Sequence, residues 1–297
     1  MLGAIIGDTI GSIYEFHNVK TTNFSPLFDT KANYTDDTIM SVAVADWLMN
    51  TDQSQESLEN KMVYWGKTYP CPKGGYGGAF KKWLFNPNNL ANYNEDSTLD
   101  FTSSGKRHPY NSFGNGSAMR VSACGWYAQT LEEALDLAKR SAEITHNHPE
   151  GIKGAQAVAA AIFWALQGKT KEQIRQDTEE MFGYDLHFTC DELRPTYTWE
   201  SSCQGTVPPA MVAFLDSSTF EEAIRLAISL GGDSDTMACI TGGIAEAYYS
   251  NQTNSNSIGI TQEMIVEMSD RLPIEMQQII MQLRKCYKQR LIKNELM

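Results

Sequence analysis

Thr35-Asp36-Asp37-Thr38 opens the apolar run Ile39-Met40-Ser41-Val42-Ala43-Val44-Ala45, and Gly231-Gly232-Asp233-Ser234-Asp235-Thr236 stands ahead of Met237-Ala238-Cys239-Ile240. Both stretches cluster oxygen donors at the start of an expected helix. No Lys or Arg lies within three residues of the first. If the fold brings them together, four carboxylates share one small site, where two like charges about 4 Å apart repel by roughly 4 kcal/mol at an effective dielectric near 20. Such a site calls for cations. Hard oxygen donors without Cys or His favour Mg²⁺, Mn²⁺ or Ca²⁺ over Zn²⁺. Four Asp charges balance two divalent ions, and a two-metal centre suits hydrolysis. A plainer reading is that each cluster only caps its helix. It serves for the first stretch alone. A cap needs one such residue, however, and the pattern occurs twice with paired Asp, so the two together favour metal.

The rest of the chain bounds the setting. At 297 residues it can bury a sizeable core. A formal charge of −12, from 36 acidic and 24 basic residues, disfavours non-specific binding to nucleic acid or anionic membrane. The six cysteines form no C-x-x-C pair, which predicts reduced thiols in a cytoplasmic protein. Met1–Ile6 is apolar but lacks basic residues before it and is interrupted by Asp8, so it does not read as a signal peptide. The longest apolar run, Ala157 to Leu166, is far too short to span a membrane and reads as a buried helix.

In chain order, residues 2–16 read as a helix with Gly3, Gly7 and Gly11 along one side. Each glycine costs about 1 kcal/mol relative to Ala in a helix, which points to close approach by another helix or a ligand. Asp8 and Glu15 fall seven apart on one face of that helix. Helices are expected over 36–49, 57–69, 121–129, 131–143, 149–166, 170–182, 208–215, 220–230, 235–249, 261–268 and 273–292. Between them lie the Gly-rich loop Gly74–Gly78, which lacks a P-loop arrangement, and a long irregular connection from Asn86 to Lys106. The one strand candidate is Thr196–Trp199. Ser112-Phe113-Gly114-Asn115-Gly116-Ser117-Ala118-Met119-Arg120 reads either as a turn and cap or as an anion cradle for a diphosphate, with Phe113 or Tyr110 stacking on a base. Of His146 and His148, one is expected to hydrogen-bond a substrate and the other to be structural. The sum is an all-α domain over residues 1–297, a compact multi-helix bundle with the acidic clusters meeting in a central cleft.

With these residues in hand, the chain resembles the ADP-ribosylglycohydrolases nearly end to end. The resemblance rests on Gly7-Asp8-x-x-Gly11 with Glu15, Thr35–Thr38, Gly114–Arg120, Thr145-His146 and Gly231–Thr236, in that order and spacing. It implies two Mg²⁺ or Mn²⁺ ions held by Thr35, Asp36, Asp37, Asp233, Asp235 and Thr236. It implies ADP-ribose held by Asn115, Gly116 and Ser117, with Phe113, Met119 and His146. Glu15, Asp36 and Asp235 are the implied catalytic groups, Glu15 matching an acid that gates the metal site in some members. The implied partner is ADP-ribose on a protein or small molecule, with a modified base left open, no membrane, and a monomeric protein. Competing readings are a hydrolase of another nucleotide-derived glycoside or phosphoester, and a non-catalytic crystallin-like use of the fold.

Overall fold

A computed structural model describes residues 1–50, 52–85, 92–93, 99–100, 107–252 and 258–295. The helices run α1 (Leu2–Gly11), α2 (Asp36–Leu48), α3 (Gln55–Thr68), α4 (Gly78–Phe85), α5 (Gly116–Met119), α6 (Ser122–Tyr127), α7 (Leu131–Glu143) and α8 (Pro149–Leu166). They continue with α9 (Lys171–Phe182), α10 (Cys190–Leu193), α11 (Cys203–Asp216), α12 (Phe220–Ser229), α13 (Ser234–Ser250), α14 (Gln262–Ser269) and α15 (Ile274–Glu295). Among the described residues the only sheet is a pair of two-residue strands, β1 (Asn92–Tyr93) against β2 (Leu99–Asp100), antiparallel. The rest of the connection between Asn86 and Lys106 lies outside the described residues. The fold is all-α, as the periodicity predicts.

The centre of the bundle is the crossing of α1 and α13, and glycine makes it. A Cβ at Gly7 would lie 2.0 Å from the Ala238 carbonyl oxygen, and one at Gly3 2.2 Å from that of Gly242. The glycines thus let two backbones touch, which answers the cost of placing them in a helix. Every residue of α1 is buried, Asp8 included. Around this axis α2, α8, α11 and α12 supply the aliphatic core, with Trp47, Phe214 and Phe220 among the largest enclosed side chains.

Several boundaries differ from the sequence reading, each for a local reason. The first helix ends at Gly11 rather than at residue 16: the Ser12 hydroxyl donates back to Thr9 O, and Tyr14 N–H closes a turn on Gly11 O. Glu15 is therefore not on a helical face shared with Asp8. The helix expected over 121–129 is the shorter α6, and a separate helical turn, α5, precedes it, joined through Arg120 and Val121. Thr196–Trp199 is turn and coil, not strand. Helix α11 begins five residues before Pro208 because Ser202 caps it, accepting from Gly205 N–H. Pro209 removes the donor for Gly205 O, and the Tyr197 hydroxyl takes its place at 3.0 Å.

At the far end of α11, Lys171 donates to Phe214 O at 2.6 Å, to Ser217 O and to the Tyr249 hydroxyl at 3.0 Å. Lys171→Met keeps the stem but takes one donor from each acceptor, leaving Phe214 O the Ser217 hydroxyl and Ser217 O the Tyr249 hydroxyl. The expected outcome is a loss of about 2–3 kcal/mol, read as a lower urea midpoint with an unchanged slope.

Candidate active site

Four segments far apart in sequence meet over the N-terminal ends of α2 and α13. Thr35 caps α2, its hydroxyl accepting from Asp37 N–H at 3.2 Å, so the plain capping reading holds there. It fails at the second cluster. Asp233 occupies the N-cap position of α13 but makes no side-chain cap bond. Its carboxylate instead accepts from the Asn115 amide at 2.8 Å. Gly231 and Gly232 both take left-handed backbone (φ 72° and 73°), which turns the chain sharply into α13. Asn18 pins that turn, accepting from Gly232 N–H at 2.8 Å and donating to Gly232 O at 3.1 Å.

Asp8, which the sequence reading left without a role at the site, organises the first cluster. Its carboxylate accepts from Thr35 N–H at 3.0 Å, Thr35 Oγ1 at 2.7 Å, Thr38 N–H at 3.1 Å and Thr38 Oγ1. That leaves the Thr35 oxygen one lone pair after its bond from Asp37. Across the cleft, Thr236 Oγ1 donates to Asp37 Oδ2 at 3.3 Å. One oxygen each of Glu15, Asp233 and Asp235 can lie within 4.8 Å of the others.

Burial is the main electrostatic fact. It pushes Asp8 up to about 6, although its four hydrogen bonds pull the other way. Burial, then Asp233, then Asp8 push Glu15 up to about 7. Asp36, Asp37 and Asp235 are driven well above the carboxylate range by burial and by their acidic neighbours. Two buried oxygens, Asp37 Oδ1 and Glu15 Oε2, have no hydrogen-bond partner. Unpaired buried carboxylate oxygens beside other acids fit a divalent-cation site: hard donors, excess negative charge and vacant lone pairs.

The sign of these shifts gives a pH prediction for protein kept metal-free with EDTA. Acids whose folded pKa is raised hold protons that the unfolded chain has already lost, so stability falls as pH rises from the unfolded carboxylate value of about 4 through the folded values of about 6 for Asp8 and about 7 for Glu15. His146 opposes this, since burial holds it well below its ordinary value. The buried Met1 ammonium, held below its ordinary value by burial, opposes it too, and these two stand against several acids. The melting temperature should therefore drop by on the order of 5 °C between pH 5.5 and 7.5, and Mg²⁺ at pH 7.5 should restore it. A flat profile unaffected by Mg²⁺ contradicts the cation reading.

The acids line a cleft of about 340 Å³. Glu15, Asp36, Asp37, Asp233, Asp235 and Thr236 face it on one side, and Asn115, Gly116, Met119 and His146 on another. Two expected binding residues do not face it. The Ser117 hydroxyl donates to Gly151 O at 2.7 Å inside the core, because its helix turn packs against α8. Phe113 is exposed and meets His148 edge-on at 5.3 Å. Tyr110, the other aromatic considered, lines the cleft. Of the histidines, His148 caps α8, accepting from Glu150 N–H at 3.1 Å, and His146 faces the cleft with Nδ1 2.7 Å from Thr145 Oγ1. The Gly-rich loop also lines the cleft, against Glu15: a Cβ at Gly74 would lie 2.6 Å from Glu15 Oε2. A larger, shallower depression of about 880 Å³ lies beside Arg194 and Arg225, away from these acids.

Comparison with known proteins bears on the family and the fold. A family model described as ADP-ribosylglycohydrolase matches residues 1–279. ADP-ribosylhydrolase ARH3 of Mus musculus is 29% identical over 84% of this chain and 82% of its own length. ADP-ribosylarginine hydrolase Tri1 of Pseudomonas putida is 23% identical over 84% of this chain and 69% of its own. A solved structure, an ADP-ribosylglycohydrolase-related protein complex, superposes with a TM-score of 0.62 at 24% identity, covering 90% of this chain and 94% of that one.

Proposed function

Because the chain belongs to the ADP-ribosylglycohydrolase family, we propose that it removes ADP-ribose from a modified acceptor by hydrolysing the bond to the ribose anomeric carbon. The observation that carries this reading is the set of five carboxylates lining one cleft, with Asp8 buried behind them and Asp37 Oδ1 and Glu15 Oε2 buried and unpaired. Asp36, Asp37, Asp233 and Asp235, with the Thr35 and Thr236 hydroxyls, would hold two divalent cations, Mg²⁺ or Mn²⁺. Bound there, the cations would supply Lewis-acid orientation of the ribose hydroxyls and activation of a water.

The chain's own residues do the rest. Cleavage passes through an oxocarbenium-like state, and a wall of carboxylates favours the positive charge that develops on the sugar. Glu15, with its carboxyl near neutrality and Oε2 unpartnered, is placed to hold or move a proton at the reacting bond. Asp8 holds Thr35 and Thr38 and so fixes the first cluster. Asn115 holds Asp233 through its amide nitrogen, and its side-chain oxygen is left for substrate. His146, kept neutral by burial and tied to Thr145, offers Nε2 next to Gly116 for the nucleotide end. Fixing the nucleotide away from the reacting bond contributes orientation.

The test is release of free ADP-ribose from ADP-ribosylated peptides, followed by mass spectrometry with Mg²⁺, Mn²⁺ or EDTA. Metal-dependent release with no acceptor-side damage is expected. No release from any conjugate, with turnover of a free nucleotide instead, would move the protein to the other-substrate reading.

A further inference from the structure

We infer that Arg120 and Thr145 are positioning residues that hold His146 in one tautomer, with its hydrogen on Nε2, so that this wall of the cleft offers the ligand a donor. The inference rests on the ADP-ribose reading above and adds to it how one binding group is set. Arg120 lines the cleft yet is only 1% exposed. One terminal nitrogen of its guanidinium donates to Ser141 O at 2.5 Å and to Thr145 Oγ1 at 2.9 Å, and its Nε has no partner. Thr145 is buried, and its Oγ1 lies 2.7 Å from His146 Nδ1.

The direction of each bond follows from what each group can do. A guanidinium has donors and no acceptor, so Thr145 Oγ1 accepts from Arg120. The Thr145 hydroxyl hydrogen then needs an acceptor of its own. A threonine often gives it to the carbonyl four residues back, but Ser141 O is held by Arg120. Among the described residues the acceptor that the hydroxyl meets is His146 Nδ1. Nδ1 therefore accepts, and the neutral ring carries its hydrogen on Nε2. Charge works the same way. The buried guanidinium favours a lone pair over an N–H on the nitrogen joined to it through Thr145. Burial first and Arg120 second keep the ring from gaining a second proton.

The other end of this chain of bonds opens on the cleft. A Cβ at Gly116 would crowd His146 Nε2 at 3.1 Å, so the glycine keeps that nitrogen clear. A ring fixed as an Nε2–H donor takes an acceptor atom of the nucleotide and turns away a group that offers only N–H. With the hydrogen on Nδ1 the same ring would ask the ligand for a donor instead. Thr145 is closed off from the cleft, so it acts on the ligand only through His146. Removing its hydroxyl leaves Nδ1 buried without a partner, a penalty that binding cannot recover.

The test reads the ring directly. Nitrogen-15 spectra of the five histidines are recorded at neutral pH in Mg²⁺ for wild type, Thr145→Val and Thr145→Ser, with His146 assigned by its loss in His146→Gln. ADP-ribose titration and steady-state kinetics on an ADP-ribosylated peptide accompany them. Wild type is expected to show His146 neutral with its hydrogen on Nε2. Thr145→Val keeps the shape and loses the hydroxyl. It should move the Nδ1 resonance toward that of an unpaired ring nitrogen and weaken ADP-ribose by about 5- to 10-fold. KM should follow, with kcat within about twofold, and Thr145→Ser should restore both readouts. A merely structural threonine would lower the melting temperature and leave the Nδ1 resonance where it is. The wild-type spectrum alone overturns the inference if the hydrogen is on Nδ1, whatever the variants do. A folded Thr145→Val protein with the wild-type Nδ1 resonance or affinity, or a Thr145→Ser protein that matches Thr145→Val, overturns it too. Wild type with the Nε2 hydrogen and no affinity for ADP-ribose removes the underlying reading and leaves the tautomer standing.

Discussion

Asp235→Asn is expected to lower turnover of an ADP-ribosylated substrate by at least about 10³-fold, roughly 4 kcal/mol of barrier, while raising the melting temperature of the metal-free protein. The two effects share one cause. Asp235 is buried beside Asp233 and Asp37, and its charge is costly unless a cation answers it. Asparagine keeps the shape and can still accept from Thr236 N–H, which lies 3.0 Å from Oδ1. What it lacks is the charge that a hard divalent ion requires. The opposed readouts separate a metal ligand from a structural carboxylate: a structural role would lower both activity and stability. Steady-state kinetics with excess Mg²⁺, and thermal melts in EDTA, measure them. An Asp235→Asn enzyme with wild-type turnover would rule this arrangement out.

Gly7→Val should be the most damaging single substitution in the core. The new Cβ alone would lie 2.0 Å from Ala238 O and 2.5 Å from Ala238 C, both backbone atoms that no rotamer change can move. The α1 and α13 helices would have to separate, at a cost of about 3 kcal/mol or more. Asp8 is the next residue on α1, and α13 begins with Asp235 one residue in, so separation also spreads the two acidic clusters. Soluble yield, urea midpoint and metal affinity should all fall. Gly7→Ala should show the same pattern, since the clash is with Cβ. A Gly7→Ala protein melting within a few degrees of wild type would mean that the helices cross elsewhere.

These two positions also show how far the sequence could be read. The four-residue spacing of Gly3, Gly7 and Gly11 announces a backbone contact, because glycine in a helix is otherwise a cost, and the contact is there. The two Asp pairs announce their meeting through charge alone. The role of Asp8 was hidden because its partners, Thr35 and Thr38, are set by tertiary approach and not by helical spacing. A lone acid inside the apolar run Leu2–Ile10 was the available signal, since such a residue must find buried donors. Ser117 and Phe113 sit in a stretch legible as a turn, but the rotation of that turn places Ser117 on Gly151 and Phe113 outside. Pro208 and Pro209 misplaced the start of α11 because the hydroxyl that replaces the lost donor comes from Tyr197, outside the helix.

The most direct measurement is isothermal titration of ADP-ribose into the protein with Mg²⁺ and again with EDTA. Two cations among these carboxylates, holding the ribose of the nucleotide, predict micromolar affinity, about −8 kcal/mol, that disappears on chelation. No heat of binding in either condition would contradict the account at its centre.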